Sequence, residues 1–437
     1  MTDTSDPRAL IAESRMSSTQ IAAVAVTVGL NALDGFDVLA ISFASPGIAA
    51  EWGIDRAALG VVLSMELIGM AFGSILLGRL TDRIGRRSMI FLCLAMMSSG
   101  MLLATTASSI ATLSAWRIFT GIGIGGMLAA TNAAVAEHAN DRHRNLCVSL
   151  MVIGYPVGAV LGGSISAWLL QTQDWRAVFY FGAAATAAFF PLVYFLLPET
   201  VPFLSRRVGG DALDRVNRTL ARMGHAAVAV LPPVVQAPRR LLGDIFQPAL
   251  VRTTMLLTFA YFMHIATFYF ILKWVPKIVV DMGFAPSSAA GVLVWANVGG
   301  AIGGATLGLL SQRIRMKPLA ITVLLISTAM VSWFGRGQTD LVELSIVVAV
   351  AGFFTNAGVV ALYSLAAERF PTEMRATGTG FVIGLGRGGA ALSPILAGLL
   401  FEAGVGLQGV AVLMSLGATL AAVAILLLRP ARDRAEP

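Results

Sequence analysis

Runs of about twenty apolar residues recur along the 437-residue chain, and each is long enough to cross the ~30 Å hydrocarbon core of a bilayer as a helix. Twelve can be counted, at 18–48, 57–79, 88–107, 111–138, 143–170, 175–198, 251–280, 286–310, 317–336, 340–369, 372–401 and 405–429. With 57% hydrophobic and 13% charged residues and a mean hydropathy of +0.79, the chain is far too apolar for a soluble protein. The 45 glycines suit helices that pack through small residues, and the lack of long alternating strands argues against an outer-membrane barrel. The expected fold class is an all-α membrane protein with twelve transmembrane helices.

One long polar interruption, 199–250, divides the chain six plus six, giving an N-terminal half 1–198 and a C-terminal half 251–437. It is rich in Arg and Pro (Arg206, Arg207, Arg215, Arg218, Arg222, Pro232, Pro233, Pro238, Arg239, Arg240). The net charge of +7 is distributed as lipid, not nucleic acid, requires. If both termini lie in the cytoplasm, 24 of the 31 Lys and Arg fall in cytoplasmic segments, and only Arg56, Arg176, Lys277 and Arg336 fall outside. Arg117, Lys273 and Arg387 remain within spans. The first fifteen residues are polar with mixed charge and lack a cleavable signal pattern, so the first span is expected to be the uncleaved insertion signal. Cys93 and Cys147 offer no disulfide framework or metal cluster.

The halves repeat. Gly78–Arg87 falls on Gly308–Lys317 at an offset of 230, as do Pro46 on Pro276 and Asp34 on His264; Glu137…Arg144 falls on Glu368…Arg375 at 231. Parallel halves related by an axis along the membrane normal imply alternating access around a central site. Within the first span, Asn31–Val38 carries Asp34 and Asp37 on one helix face. An Asp at the centre of a span costs roughly 2.5–3.5 kcal/mol on insertion scales, so such residues mark an ion or substrate path more often than a capped kink.

Gly78-Arg-Leu-Thr-Asp82-Arg83-Ile-Gly85-Arg86-Arg87, between the second and third spans, resembles the loop signature of the major facilitator superfamily. Asp34-Gly-Phe-Asp37, with Arg369-Phe-Pro-Thr-Glu-Met-Arg375-Ala-Thr-Gly378 ahead of the eleventh span, resembles that superfamily's aromatic acid:proton symporters. The resemblance covers nearly the whole chain. It implies the major facilitator fold, two six-helix halves related by a pseudo-two-fold axis, in a bacterial inner membrane. It further implies proton-driven uptake of a benzoate-like anion such as 4-hydroxybenzoate, protocatechuate or gentisate. The chain departs from the pattern at Gln312, where an acid is common, and at Glu66, an extra acid in the second span.

The candidate proton-coupling residues are Asp34, Asp37 and Glu66. Glu66 lies about 18 Å along its helix from Gly78, near mid-membrane, where burial favours the neutral carboxyl a proton carrier needs; the competing reading is a structural pair with a basic residue. Candidate substrate contacts are Arg117, Asn132, Tyr155, His264, Tyr269 and Arg387. Arg117 and Arg387 keep their charge and match a carboxylate with a planar fork, although Arg117 sits close enough to its span's end to snorkel. Lys273 reads as an interfacial anchor beside Trp274. His264 either titrates or packs, and Tyr261, Phe262, Phe268, Tyr269 and Phe270 either stack a ring or pack.

Asp82, Arg83, Glu137, Arg144, Glu368 and Arg375 read as a cytoplasmic gate of breakable ion pairs, since the E-x6-R spacing recurs in both halves. Arg86 and Arg87 read as orientation signals only. No GxSxG, HExxH or Walker loop is present, which argues against an enzyme or an ATP-driven pump. Within transport, the alternative is a proton-coupled antiporter or an organic-anion or sugar-like porter. No cofactor is expected beyond the coupling proton, and the chain is expected to work as a monomer.

Overall fold

The computed structural model describes residues 6–206, 211–231, 242–371 and 374–428. Arg207, Pro232, Pro233, Pro238, Arg239 and Arg240 of the central interruption, Thr372 and Glu373 of the motif before the eleventh span, and Arg429, Arg432 and Arg434 lie outside the described residues. Among the described residues, twelve helices are long and apolar enough to cross a membrane. In chain order they are α2 (Ser18–Trp52), α3 (Arg56–Ile84), α4 (Arg86–Ala104), α5 (Ile110–His138), α6 (Arg144–Leu169), α7 (Arg176–Leu196), α10 (Val251–Asp281), α11 (Pro286–Leu310), α12 (Met316–Phe334), α13 (Leu341–Arg369), α14 (Arg375–Glu402) and α15 (Leu407–Leu426). Three shorter helices, α1 (Pro7–Glu13), α8 (Val201–Leu204) and α9 (Ala212–Arg222), join them. No strand occurs among the described residues. Trp168, Phe195 and Leu309 expose 67, 66 and 67% of their surface, which suits contact with hydrocarbon rather than water.

The chain folds into two compact units. One comprises Met1–Ala40, Ile68–Gly162 and Arg176–Ala237; the other comprises Ile41–Leu67, Gly163–Trp175 and Pro238–Pro437.

In the first unit α2 crosses α6 with the backbones in direct contact. A Cβ on Gly158 would stand 1.8 Å from the carbonyl oxygen of Ala32, and one on Gly35 2.0 Å from that of Tyr155, so only glycine allows this approach. The crossing fixes the rotation of α2 and therefore where Asp34 and Asp37 point. Asn31 secures it further by donating from Nδ2 to the carbonyl of Met151 at 2.7 Å.

The stretches that read as polar at the N-terminus and after Glu199 are partly folded in this unit. Ile11 of α1 is buried with Val201, Phe203 and Leu204 of α8, Val216 and Leu220 of α9, and Met223 and Val228. The apolar positions of α9 stand four residues apart among Arg215, Arg218 and Arg222, a one-sided pattern that an average over the segment conceals. Hydrogen bonds to backbone carbonyls tie the cluster down, from the Asp141 amide to Ala12 at 2.9 Å and from the Thr19 hydroxyl to Arg222 at 2.8 Å.

In the second unit α10 packs against α14 and α15, and α11 against α13. Buried polar groups bond between helices: Trp274 Nε1 donates to the Pro394 carbonyl at 3.2 Å, Thr267 to Met414 at 2.7 Å and Ser393 to Ala266 at 2.6 Å. Pro46 and Pro276, matched in the repeat, lie inside α2 and α10.

Candidate functional site

Asp34 and Asp37 are both buried, 2% and 0% exposed. Arg117 of α5 is wholly buried too, and its Nη2 donates to the backbone carbonyl of Asp37 at 3.1 Å. Its guanidinium lies 5.3 Å over the ring of Phe179, and Nη1 reaches the Met101 sulfur at 3.2 Å. The snorkelling reading of Arg117 is thus overturned, because the side chain runs inward to α2 and not along the helix to water. An arginine has no accessible neutral form, so this places a fixed positive charge beside the α2 acids. On the α7 side the Asp37 carboxylate borders Gly182, where a Cβ would be 3.5 Å from Oδ1.

Glu66 and Lys273, both in the second unit, form an ion pair at 3.7 Å with neither side chain exposed. Lys273 is therefore no interfacial anchor. α10 continues to Asp281, leaving Lys273 two turns inside the helix, and the surface charges there are Lys277 and Asp281, the latter paired with Arg56 at 3.0 Å. A buried ion in low dielectric is tolerated when a partner compensates it, and Glu66 supplies that partner. A lone acid in one span and a lone base in another was the signal available in the sequence.

His264 is fully buried. Its Nε2 bonds the Thr355 carbonyl at 2.8 Å, and its ring fills the notch left by Gly358. Since a carbonyl can only accept, Nε2 carries the proton in this contact. Tyr155 and Tyr269 are half-buried. Asn132 is exposed and donates within its own helix to Leu128 at 2.7 Å. Arg387 of α14 is half-buried, with an Nη1 that is out of solvent and has no hydrogen-bond partner among the described residues. Tyr261 of α10 packs against Gly386, the residue before it, and meets Tyr363 of α13 edge to face at 5.6 Å. Tyr363 did not stand out in the sequence, where it is one tyrosine in an apolar span.

At the ends of α3, α4 and α5, Arg86 is the hub, contrary to its reading as an orientation signal. It is buried and pairs with Glu137 at 2.9 Å and Asp82 at 3.2 Å, with its guanidinium 5.7 Å from the ring of Phe203. Gly85, at φ +102°, makes the turn into α4. Glu199 accepts from the backbone amides of Arg86 at 3.0 Å and Arg87 at 3.2 Å, capping the positive end of that helix. Burial raises the Glu199 carboxyl above its ordinary value, against the opposing pull of these bonds and of Arg86. Arg144 pairs with Asp141 at 2.8 Å and not with Glu137. Arg83, Glu368 and Arg375 are exposed and make no ion pair among the described residues. The structure thus joins Asp82 to Glu137 through Arg86, and Arg83 and Arg144 take no part in that pairing.

The sequence profile of the Major Facilitator Superfamily matches residues 27–342 and 257–437. The chain belongs to that superfamily. The gallate transporter of Pseudomonas putida is 32% identical over 412 residues, covering 92% of this chain and 90% of its own. The 4-hydroxybenzoate transporter PcaK of Pseudomonas aeruginosa is 30% identical, covering 90% and 89%. The crystal structure of a D-xylose–proton symporter superposes with a TM-score of 0.74 at 18% identity, covering 94% of this chain and 98% of that one, and so shares the fold. With these relatives and this fold, the chain is a multi-pass membrane transporter and not an enzyme.

Proposed function

We propose that the chain is a proton-coupled symporter taking up a small aromatic carboxylate across a bacterial inner membrane, by alternating access between its six-helix halves and with both termini in the cytoplasm. The observation that carries this reading is the similarity to gallate and 4-hydroxybenzoate transporters over about nine-tenths of each chain. The buried acids of α2 supply a means of coupling. An incoming carboxylate that meets two ionised acids at ~5 Å faces several kcal/mol of repulsion even at an effective dielectric of 20, and one proton removes most of it. Proton and anion then raise each other's affinity reciprocally. Arg387 and Arg117 are the proposed counter-charges. Asp34, Asp37 and Glu66 are the proposed proton carriers, and Asp82, Arg86 and Glu137 are the proposed core of the cytoplasmic gate.

The test is uptake of labelled gallate and 4-hydroxybenzoate into proteoliposomes. An imposed inward proton gradient should drive accumulation above the external concentration, and a protonophore should abolish it. Equilibration that ignores the gradient would remove symport.

A further inference from the structure

We propose that Tyr261 is a second hydrogen-bond donor to the substrate carboxylate held by Arg387, and that Tyr363 is the positioning residue that aims it. This rests on the aromatic-acid reading above and assigns its anion subsite to α10, α13 and α14. Tyr261 is 4% exposed, and the α14 backbone presses on its ring: a Cβ on Gly386, the residue before Arg387, would stand 2.0 Å from Cδ1. The glycine therefore seats the Tyr261 ring against α14 one residue before Arg387. From the other side Tyr363, 40% exposed, meets the Tyr261 ring at 82°, and the two side chains interact.

The hydrogen-bond inventory of this cluster is unbalanced. Arginine has five N–H donors and no acceptor. Where two phenols meet, at most one O–H is taken by the other's oxygen, and the second remains to donate. His264, one turn along α10, has its N–H engaged by Thr355 and so adds no donor and a single acceptor, Nδ1, which leaves the donors in excess. Nη1 of Arg387 is buried with no partner among the described residues. Surplus donors beside a permanent positive charge fit a carboxylate, which accepts about four hydrogen bonds, and the surrounding rings suit an aromatic body.

The test measures binding of labelled benzoate, 4-hydroxybenzoate and gallate to the full-length protein in nanodiscs, with benzamide as the uncharged analogue. Loss of one charge-assisted donor in Tyr261→Phe should weaken all three acids alike, by about tenfold or more, and leave benzamide unchanged. Tyr363→Phe should weaken the acids less, by about threefold, and narrow the acid-to-amide ratio in the same direction. Parent-like acid binding by Tyr261→Phe overturns the proposal, as does a loss shared equally by benzamide or confined to ring-hydroxylated acids. Should Tyr261→Phe fail to fold, an unchanged acid-to-amide ratio in Tyr363→Phe overturns it and a narrowed one supports it. If the parent binds aliphatic carboxylates such as acetate or lactate but no aromatic acid, the aromatic reading falls and the tyrosine effect is read on those; if it binds no carboxylate, both fall.

Discussion

Arg117 donates to the main-chain carbonyl of Asp37 from a guanidinium with no exposed surface. A helical carbonyl is ordinarily held by the amide four residues on, so the contact places the charge on the backbone at the very residue whose side chain is a candidate carrier. The arginine is thereby fixed in register with Asp37 and, one turn earlier, with Asp34.

Arg117→Met should fold less stably by about 3–5 kcal/mol, the usual effect of removing one partner from a buried hydrogen-bonded charge, and should reduce uptake to background. Arg117→Lys restores the charge but not the planar fork, so it should recover stability more than transport. Thermal unfolding in detergent beside initial uptake rates checks both, and wild-type transport by the lysine variant would remove the demand for a fork.

Glu66→Gln and Lys273→Met each strip one member of a pair with neither side chain exposed, and each should lower stability by roughly 3–5 kcal/mol. The double variant should recover much of that, since replacing both ions together leaves no uncompensated charge. A double-mutant cycle on thermal unfolding reads the coupling directly; additive losses would mean the two charges do not compensate one another.

Glu199 supplies a pH dependence of known sign. Burial holds its carboxyl above the ordinary 4.5, so the fold favours the protonated form relative to the unfolded chain. Its contribution is complete below 4.5 and is lost as pH rises through the raised value. Melting temperatures of the parent should therefore fall over that window relative to those of Glu199→Gln, and parallel curves for the two proteins would refute the assignment.

Gly158→Ala introduces a Cβ 1.8 Å from the Ala32 carbonyl oxygen, with backbone on the far side and no flexible side chain to yield. α2 and α6 must separate, moving Asp34 and Asp37 with them. Expected are a stability loss of about 1–3 kcal/mol, typical of overpacking, and impaired uptake at normal membrane levels of protein. Unimpaired uptake would show that the crossing tolerates separation.

What could be read from the sequence was whatever depends on local length and composition. Spans emerge from apolar runs, and their ends shift because α2 continues to Trp52 and α3 to Ile84, past the runs counted at 18–48 and 57–79. Asp34, Asp37, Glu66, Arg117 and Arg387 stood out because charge within a span is costly wherever it points. Partners were not legible, since they are decided by helix rotation and crossing. Lys273 looked like an anchor until it proved to be buried against Glu66. Arg86 looked like one of many loop arginines until the Gly85 turn carried it inward to Glu137 and Asp82. Tyr261 and Tyr363 lie about a hundred residues apart on two helices, and no spacing rule joins them.

The cluster of Ile11 with α8 and α9 also sets an order in time. Thr19 and the Arg222 carbonyl that its hydroxyl contacts are 203 residues apart, so at 5–20 residues per second the start of the chain waits roughly 10–40 s for its partner to leave the ribosome. During that interval α1 has no apolar surface to cover Ile11, and six spans must pass into the membrane before it does. Closure of this cluster is thus a late event in biogenesis that reports the first six spans already inserted, and a nascent chain stalled before Val228 would present an unsheltered N-terminus to chaperones and proteases.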